Sequence, residues 1–538
     1  MNPEAPGVGP GPSGPSRPVV KDTTASPNLK IEPSAAKSMG NWNMLGRDAV
    51  HSCYSPENMT FPLRLQWKYI TSQGSNAPAS PIVADGIIYL CTATRLYTMN
   101  SDTGQIYWKF PADGPLNSDI VKTPLVGDQL VYFGTGDGKL YAIKKEDGTQ
   151  AWRFATKGSM STAPILSDGV IYIGGTDHAL YALDAKTGKP KWPGGFRTRD
   201  TITGAPIISN GLVYFLSNED IMYAAVATSG QLKWWRDIGS ITKASSPVFG
   251  DNMIYLVSGN ILQAFQAQSG YPRWAITLTN DVTTIPVFAK GALYFACTDH
   301  MLYAVKSDGK MKWKTPVDLK VLAYSTPVVV GDTLVIGGSQ GLLMAVDTET
   351  GHVKWQYRVM PSALAIGAKL DLVNLTSPLV VSNGSLYFFS DDGTLFTFRS
   401  DAPDTTPPDI LLTVPLAGST VPGASAFQIA ALVSDEGSGV DWKSIKLLFD
   451  GKSVDFKTKP ERGIIYFNRK KSVEGEDSVQ EPLTDGRHTV LLSLSDWIGN
   501  TALKEWSFQA DNHITVTTED LIRQQQQQRQ PGFGGRGG

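Results

Sequence analysis

The sequence has no excess of either charge: 48 Lys and Arg stand against 50 Asp and Glu in 538 residues. No overall field draws such a chain to nucleic acid or to an anionic membrane, so any electrostatic partner surface is local. Cysteine is scarce. Cys53, Cys91 and Cys297 are scattered, with no CxxC spacing and no adjacent pair, which excludes a disulfide framework and a cysteine-based zinc site. No apolar run reaches the roughly 18 to 20 residues that a membrane-spanning helix needs. Residues 1–39 are rich in Pro, Gly and Ser and lack the basic start and apolar core of a signal peptide, so they read as a flexible leader.

What the chain has is a repeat. Seven times a glycine stands four residues before a tryptophan, at Gly104/Trp108, Gly148/Trp152, Gly188/Trp192, Gly230/Trp234, Gly270/Trp274, Gly309/Trp313 and Gly351/Trp355. Successive glycines are 44, 40, 42, 40, 39 and 42 residues apart, a period that marks a propeller or another array of stacked units. A second marker, a proline followed by apolar residues, opens each unit at Pro81, Pro124, Pro164, Pro206, Pro247, Pro286, Pro327 and Pro378. That makes eight openings but seven endings, and Trp67 supplies the eighth. The pattern predicts a ring in which an N-terminal strand completes the last unit and removes the free sheet edges.

Within a unit the reading is four short antiparallel strands. In the third, Pro164–Leu166, Val170–Ile173 and Ala179–Leu183 are strands, and Lys191-Trp192 is expected on the outer one. Asp85-Gly86, Asp168-Gly169, Asn210-Gly211 and Asn383-Gly384 are two-residue hairpin turns that need positive φ. A large flat ring at one fixed place fills the wedge between neighbouring sheets, and the glycine permits its close approach. The expected architecture is all-β: an eight-bladed β-propeller over 40–401, a stiff linker at 402–409 with Pro407-Pro408, an immunoglobulin-like β-sandwich over 410–512, and a Gln/Gly-rich tail at 513–538 that cannot bury a core.

The pattern Ala-x-Asp-x-x-Thr-Gly-x-x-x-Trp, matched at Ala345 to Trp355 and nearly so at Ala182 to Trp192, resembles the tryptophan-docking repeat of the pyrroloquinoline-quinone-like propeller family. Trp42 to Pro56 is similar to the lead-in of bacterial members. The resemblance implies two functional classes. One is a quinone-dependent oxidoreductase, whose relatives stack the quinone between a tryptophan floor and a disulfide of adjacent cysteines; this chain has no such pair. The other is a non-enzymatic scaffold like the propeller lipoproteins of outer-membrane assembly. The expectation here is the scaffold, extracytoplasmic by resemblance, binding protein partners of the cell envelope as a monomer or within a larger complex. Neither quinone nor nucleic acid is expected as a ligand. A third reading is a carbohydrate- or envelope-binding protein that uses the sandwich, whose loops resemble those of bacterial surface immunoglobulin-like modules.

Candidate sites are few. Among the six histidines, His178 and His300 occupy equivalent Thr-Asp-His turns in the third and sixth units. They are too far apart around a ring to share a metal whose ligands lie about 2 Å away. Gly138, Gly341 and Gly393 hold the same turn elsewhere, so a left-handed turn is the expected role. Calcium is the one possible metal: Asp435, Asp441, Asp496 and Asn500 fall in two loops that can meet at one end of the sandwich and offer oxygen ligands. The interval from Pro327 to Pro378 is long, 51 residues, and its excess, Met360 to Val373, is an apolar loop that can serve a partner or pack on the protein itself.

Overall fold

In the computed structural model, residues 19–21, 40–71, 79–239, 245–359, 373–423, 428–467 and 483–514 are described. They are almost wholly strand and turn, with two short 3-10 turns at Ser339–Gly341 and Pro460–Arg462. No helix among them is long and apolar enough to cross a membrane. Two compact units separate between Pro403 and Asp404.

The first unit holds eight antiparallel four-stranded cores. The first sheet runs Ile82–Ala84, Ile87–Cys91, Leu96–Asn100 and Ile106–Phe110, and the same meander recurs through the seventh, which ends on Val353–Arg358. The eighth takes Val380–Ser382, Ser385–Phe389 and Thr394–Arg399 from the end of the unit and Arg64–Ile70 from its beginning. Phe398 pairs with Leu65 and Leu395 with Tyr69, so the N-terminal strand closes the array as the count of prolines and tryptophans predicted. Innermost strands touch from sheet to sheet, and Val380–Ser382 of the eighth meets Ile82–Ala84 of the first.

The seams explain the repeat. Each tryptophan lies not on the glycine of its own repeat but on that of the next. A Cβ at Gly148 would come 2.7 Å from the Trp108 ring, one at Gly188 2.6 Å from Trp152, and one at Gly230 2.8 Å from Trp192. All three glycines have positive φ. The indole N–H then donates to a carbonyl of the same turn: Trp108 to Lys145 at 2.9 Å, Trp152 to Ala185 at 3.2 Å, Trp192 to Ala227 at 3.1 Å, Trp234 to Ala267 at 2.9 Å and Trp313 to Thr348 at 3.0 Å. Tyr132, Tyr172 and Tyr294, from the second strands, donate to three of those same oxygens. The last seam differs: Trp355 has no glycine turn to meet and packs on Phe61 and Phe398.

One expectation is corrected. Lys191-Trp192 is not on the outer strand of the third sheet, which is only Phe196–Arg197. The Lys191 N–H still donates to the Ala182 carbonyl at 2.7 Å, but Pro193 cannot donate to a ladder and Gly194 and Gly195 both turn left-handed, so the chain loops out there before Phe196–Arg197 resumes the pairing. Trp192 still reaches its seat because the seat belongs to the next sheet.

In the second unit, Asp409–Val414, Ile429–Ser434, Ile464–Phe467 and Lys457–Lys459 form one sheet, and Thr420–Val421, Thr501–Ala510, Gly486–Asp496, Val440–Phe449 and Lys452–Ser453 the other. Ile429, Val433 and Ile465 of one and Leu447, Val490, Leu492, Trp506 and Phe508 of the other share a single core.

Truncation of a seated tryptophan removes both its packing and its hydrogen bond. Trp192→Ala should lower the unfolding free energy by about 3 to 5 kcal/mol. Gly230→Ala should cost about 1 to 3 kcal/mol through left-handed strain and collision with that ring. Urea denaturation followed by tryptophan fluorescence measures both.

Candidate functional site

The stretch Trp42 to Glu57 crosses one mouth of the ring. Trp42 exchanges backbone hydrogen bonds with Val83 of the first sheet at 2.7 and 3.2 Å. The carbonyl of Asn43 accepts from Val126 of the second at 2.8 Å, that of Ala49 from Ile208 of the fourth at 2.7 Å, and that of Val50 from Phe249 of the fifth at 3.4 Å. Those of Cys53 and Ser55 accept from Val329 and Gly331 of the seventh at 2.9 and 3.1 Å. Tyr54–Ser55 also touches the innermost strand of the sixth sheet, and Met44 and Ala49 join the core around the third. At the far end the Glu57 carboxylate accepts from the N–H groups of Asn383 and Gly384 in the eighth, at 3.2 and 2.7 Å. One short segment therefore engages all eight sheets on the side of their first hairpins.

Its own fold makes this reach possible. Asp48 accepts through one oxygen from the N–H groups of Val50 and Ser52, at 3.2 and 3.0 Å. The Arg47 guanidinium donates to the Tyr54 carbonyl at 3.1 Å. Arg47, His51 and Cys53 all adopt positive φ, which folds the segment into a compact turn. Inside it His51 is 3% exposed, and its Nε2 has no hydrogen-bond partner among the described residues. Burial drives the imidazole pKa down to about 4, against smaller upward pulls from Asp48 and the Pro247 backbone. Nothing in a lone His-Ser-Cys sequence announced this residue; only the threading of the segment shows it.

The cysteines offer no reactive pair. All three are free and buried. Burial, helped by Asp299 and Asp281, pushes the Cys297 thiol up to about 12, and burial holds Cys53 and Cys91 well above their ordinary range. Thiols so placed are inert. His178 and His300 are exposed turn residues with φ of 65° and 67°, alongside 79° for Gly138. They take the left-handed conformation the turn requires.

On the opposite mouth, the hairpins between second and third strands carry a carboxylate at one repeated place: Asp137, Asp177, Glu219, Asp299 and Asp392. Tyr223 donates to Glu219 at 2.5 Å and Tyr303 to Asp299 at 2.7 Å, and Tyr181 donates to Asp177. Burial and the adjacent carboxylate push the Tyr181 phenol up to about 12. Of the long loop in the seventh repeat, residues 360–372 lie outside the described residues.

In the second unit, Asp435 and Asp496 come together as expected, joined by Asp404, which sequence reasoning missed because it stands in the linker. Carboxylate oxygens of the three lie within 4.8 Å of one another, and all three residues are buried. Asn500 joins them, its amide donating to Asp496 at 2.7 Å. Asp441 does not; its carboxylate accepts from the Lys443 N–H at 3.0 Å. Oxygen is the donor calcium takes. Here the oxygens already clamp loops: Asp496 accepts from Ile498, Gly499 and Asn500 at 3.0, 2.7 and 2.9 Å, Asp435 from Gly439 at 2.7 Å, and Asp404 from Ser438 at 2.7 Å.

Comparison with known proteins places this geometry. A family model described as outer membrane protein assembly factor BamB matches residues 64–263 and 242–420. An outer membrane protein assembly factor BamB of Moranella endobia is 29% identical over 150 residues, 27% of this chain and 38% of that protein. The quinohemoprotein alcohol dehydrogenase ADH-IIG of Pseudomonas putida is 30% identical over 137 residues, 23% of this chain and 19% of that one. These alignments thus span well under half of either relative. A europium-containing methanol dehydrogenase superposes with a TM-score of 0.53 at 14% identity, covering 67% of this chain and 89% of that one, a likeness of fold alone.

The buried imidazole has a pH consequence. Its folded pKa, about 4, lies below the ordinary 6.5, so the unfolded chain binds the proton first as pH falls. The neutral-His51 contribution is fully present above pH ~6.5 and is lost on the way to pH ~4, about 3 kcal/mol in all at ~1.4 kcal/mol per unit. Melting curves across this range should flatten in His51→Asn, a residue that tolerates the same backbone conformation.

Proposed function

The chain belongs to the outer membrane protein assembly factor BamB family, and on that premise we propose that it is a non-enzymatic, extracytoplasmic scaffold that binds protein partners of the cell envelope. The observation that carries this reading is the segment Trp42 to Glu57. It spends the backbone of one channel mouth on hydrogen bonds to the ring itself, where a ligand-binding propeller would leave groups free to meet a ligand. Partners then dock on the opposite mouth. There the repeated carboxylates Asp137, Asp177, Glu219, Asp299 and Asp392, interleaved with Lys139, Arg197 and Arg199, offer charged side chains of both signs to a protein surface.

The competing reading is a quinone-dependent oxidoreductase, since relatives of that class align as well. The residues present do not fit the quinone. The adjacent cysteine pair that the resemblance calls for is missing, and the three thiols present are separately buried. The crossing segment supplies no carboxylate or amide cradle in its place; Asp48 and Glu57 are both spent on backbone N–H groups.

Calorimetric titration with pyrroloquinoline quinone and calcium, followed by dye-linked turnover on alcohols and sugars, separates the two. The scaffold reading expects no saturable heat and no turnover. Tight binding with turnover would overturn it.

A further inference from the structure

Exposed large apolar side chains concentrate in one part of the second unit. Leu411, Leu412, Val414 and Leu416 lie on or just after the strand Asp409–Val414, and Leu503 lies on the strand Thr501–Ala510. Leu412 is 48% exposed and Leu503 67%. Leu411, Leu412, Thr413, Leu416 and Lys504 line a groove of about 550 Å³. Two features make it more than a scatter of leucines.

The first is the backbone. Asp409–Val414 is the last strand of its sheet, paired with Ile429–Ser434 on one side and with no strand on the other among the described residues. The register skips between Ile410 and Leu412, a bulge that turns both Leu411 and Leu412 outward. Across the groove, Thr501–Ala510 is paired on this side only at Gln509 and Ala510, by Thr420–Val421. The Lys504 amine bridges the two strand edges, donating to the Ile410 carbonyl at 3.1 Å and so taking one main-chain acceptor of the unpaired edge. An open strand edge flanked by apolar side chains is the feature that soluble proteins usually blunt with charge, proline or cover.

The second is the charge at one end. Asp409 stands at the start of the open strand, where partial burial and the Glu436 carboxylate hold its carboxyl above the usual range. A cation placed there would relieve the repulsion.

We propose that the open edge of Asp409–Val414 is a docking site for an extended strand of a partner protein, with alternating apolar side chains and a lysine or arginine beside Asp409. For affinity, strand addition uses the main-chain groups of the edge beyond the Ile410 carbonyl that Lys504 takes, and for selection the leucine groove. A second copy of this chain fits less well. Five exposed leucine and valine side chains make a small patch, whereas a stable dimer needs about 800 Å² per partner. In a two-fold pair, moreover, Asp409 would face the apolar end of the other strand and meet no cation. This site is independent of the reading of the propeller.

The test uses the full chain and a labelled peptide of alternating valine and threonine ending in lysine, followed by fluorescence anisotropy. Saturable binding is expected. It should weaken at least tenfold with Leu412→Lys, at least tenfold with a peptide N-methylated at alternate amides, and about fivefold when glutamate replaces the terminal lysine. Both Leu412→Lys and the control Leu503→Glu alter exposed side chains, and unchanged melting curves confirm the fold. Equal binding of the N-methylated peptide would mean simple apolar adhesion and overturn strand addition, as would absence of saturable binding. Dimerisation of the full chain in sedimentation, abolished by Leu412→Lys, would assign the edge to a second copy instead.

Discussion

The first unit depends on the seating of each tryptophan against the glycine turn of the following repeat. A sheet in this array cannot bury both faces by itself, so its stability is a property of its seams. The indole fills the wedge, its N–H is satisfied by a carbonyl of the receiving turn, and in three seams a tyrosine hydroxyl shares that carbonyl. A side chain at the glycine would stand inside the ring. This pairing forces the period of about forty residues, since each repeat must present a ring at its end and a bare turn before it.

A ring so built has two mouths and a channel, and its function turns on what fills them. Here the chain fills one mouth itself. The segment Trp42 to Glu57 behaves as a strap tied to all eight sheets, with its turn folded around Asp48 and a buried His51. Because it joins elements distant in the ring, it resists the opening of any one seam. The one seam without a glycine seat, between Trp355 and the eighth sheet, is the one that Phe61, just beyond the strap, helps to fill. Closure by Arg64–Ile70 and bracing by the strap are thus one continuous device at the start of the chain.

Much of this was legible beforehand. The count of prolines against tryptophans called for an N-terminal closing strand, and Arg64–Ile70 is that strand. What escaped is what sequence distance hides. The spacing called for a ring filling the wedge between neighbouring sheets but did not say which glycine receives it, and that glycine is the one of the following repeat. Prolines and glycines near Trp192 displaced it from the outer strand. Asp404 was missed because nothing local links a linker aspartate to loops at 435 and 496, and Asp441 was misassigned because neighbours in a loop need not point the same way. The strap is the largest omission: its hydrogen bonds are made by backbone, which leaves no mark in residue identity.

Hydrogen exchange of the native chain tests the strap most directly. If Trp42 to Glu57 braces the ring, the amides of Val83, Val126, Ile208, Val329 and Gly331, which donate to it or pair with it, should exchange as slowly as the central strands of their sheets. Deleting residues 40–57 should then speed exchange at these five sites together, although they are spread over four repeats. Fast exchange at these amides in the intact chain, or no change on deletion, would contradict the account.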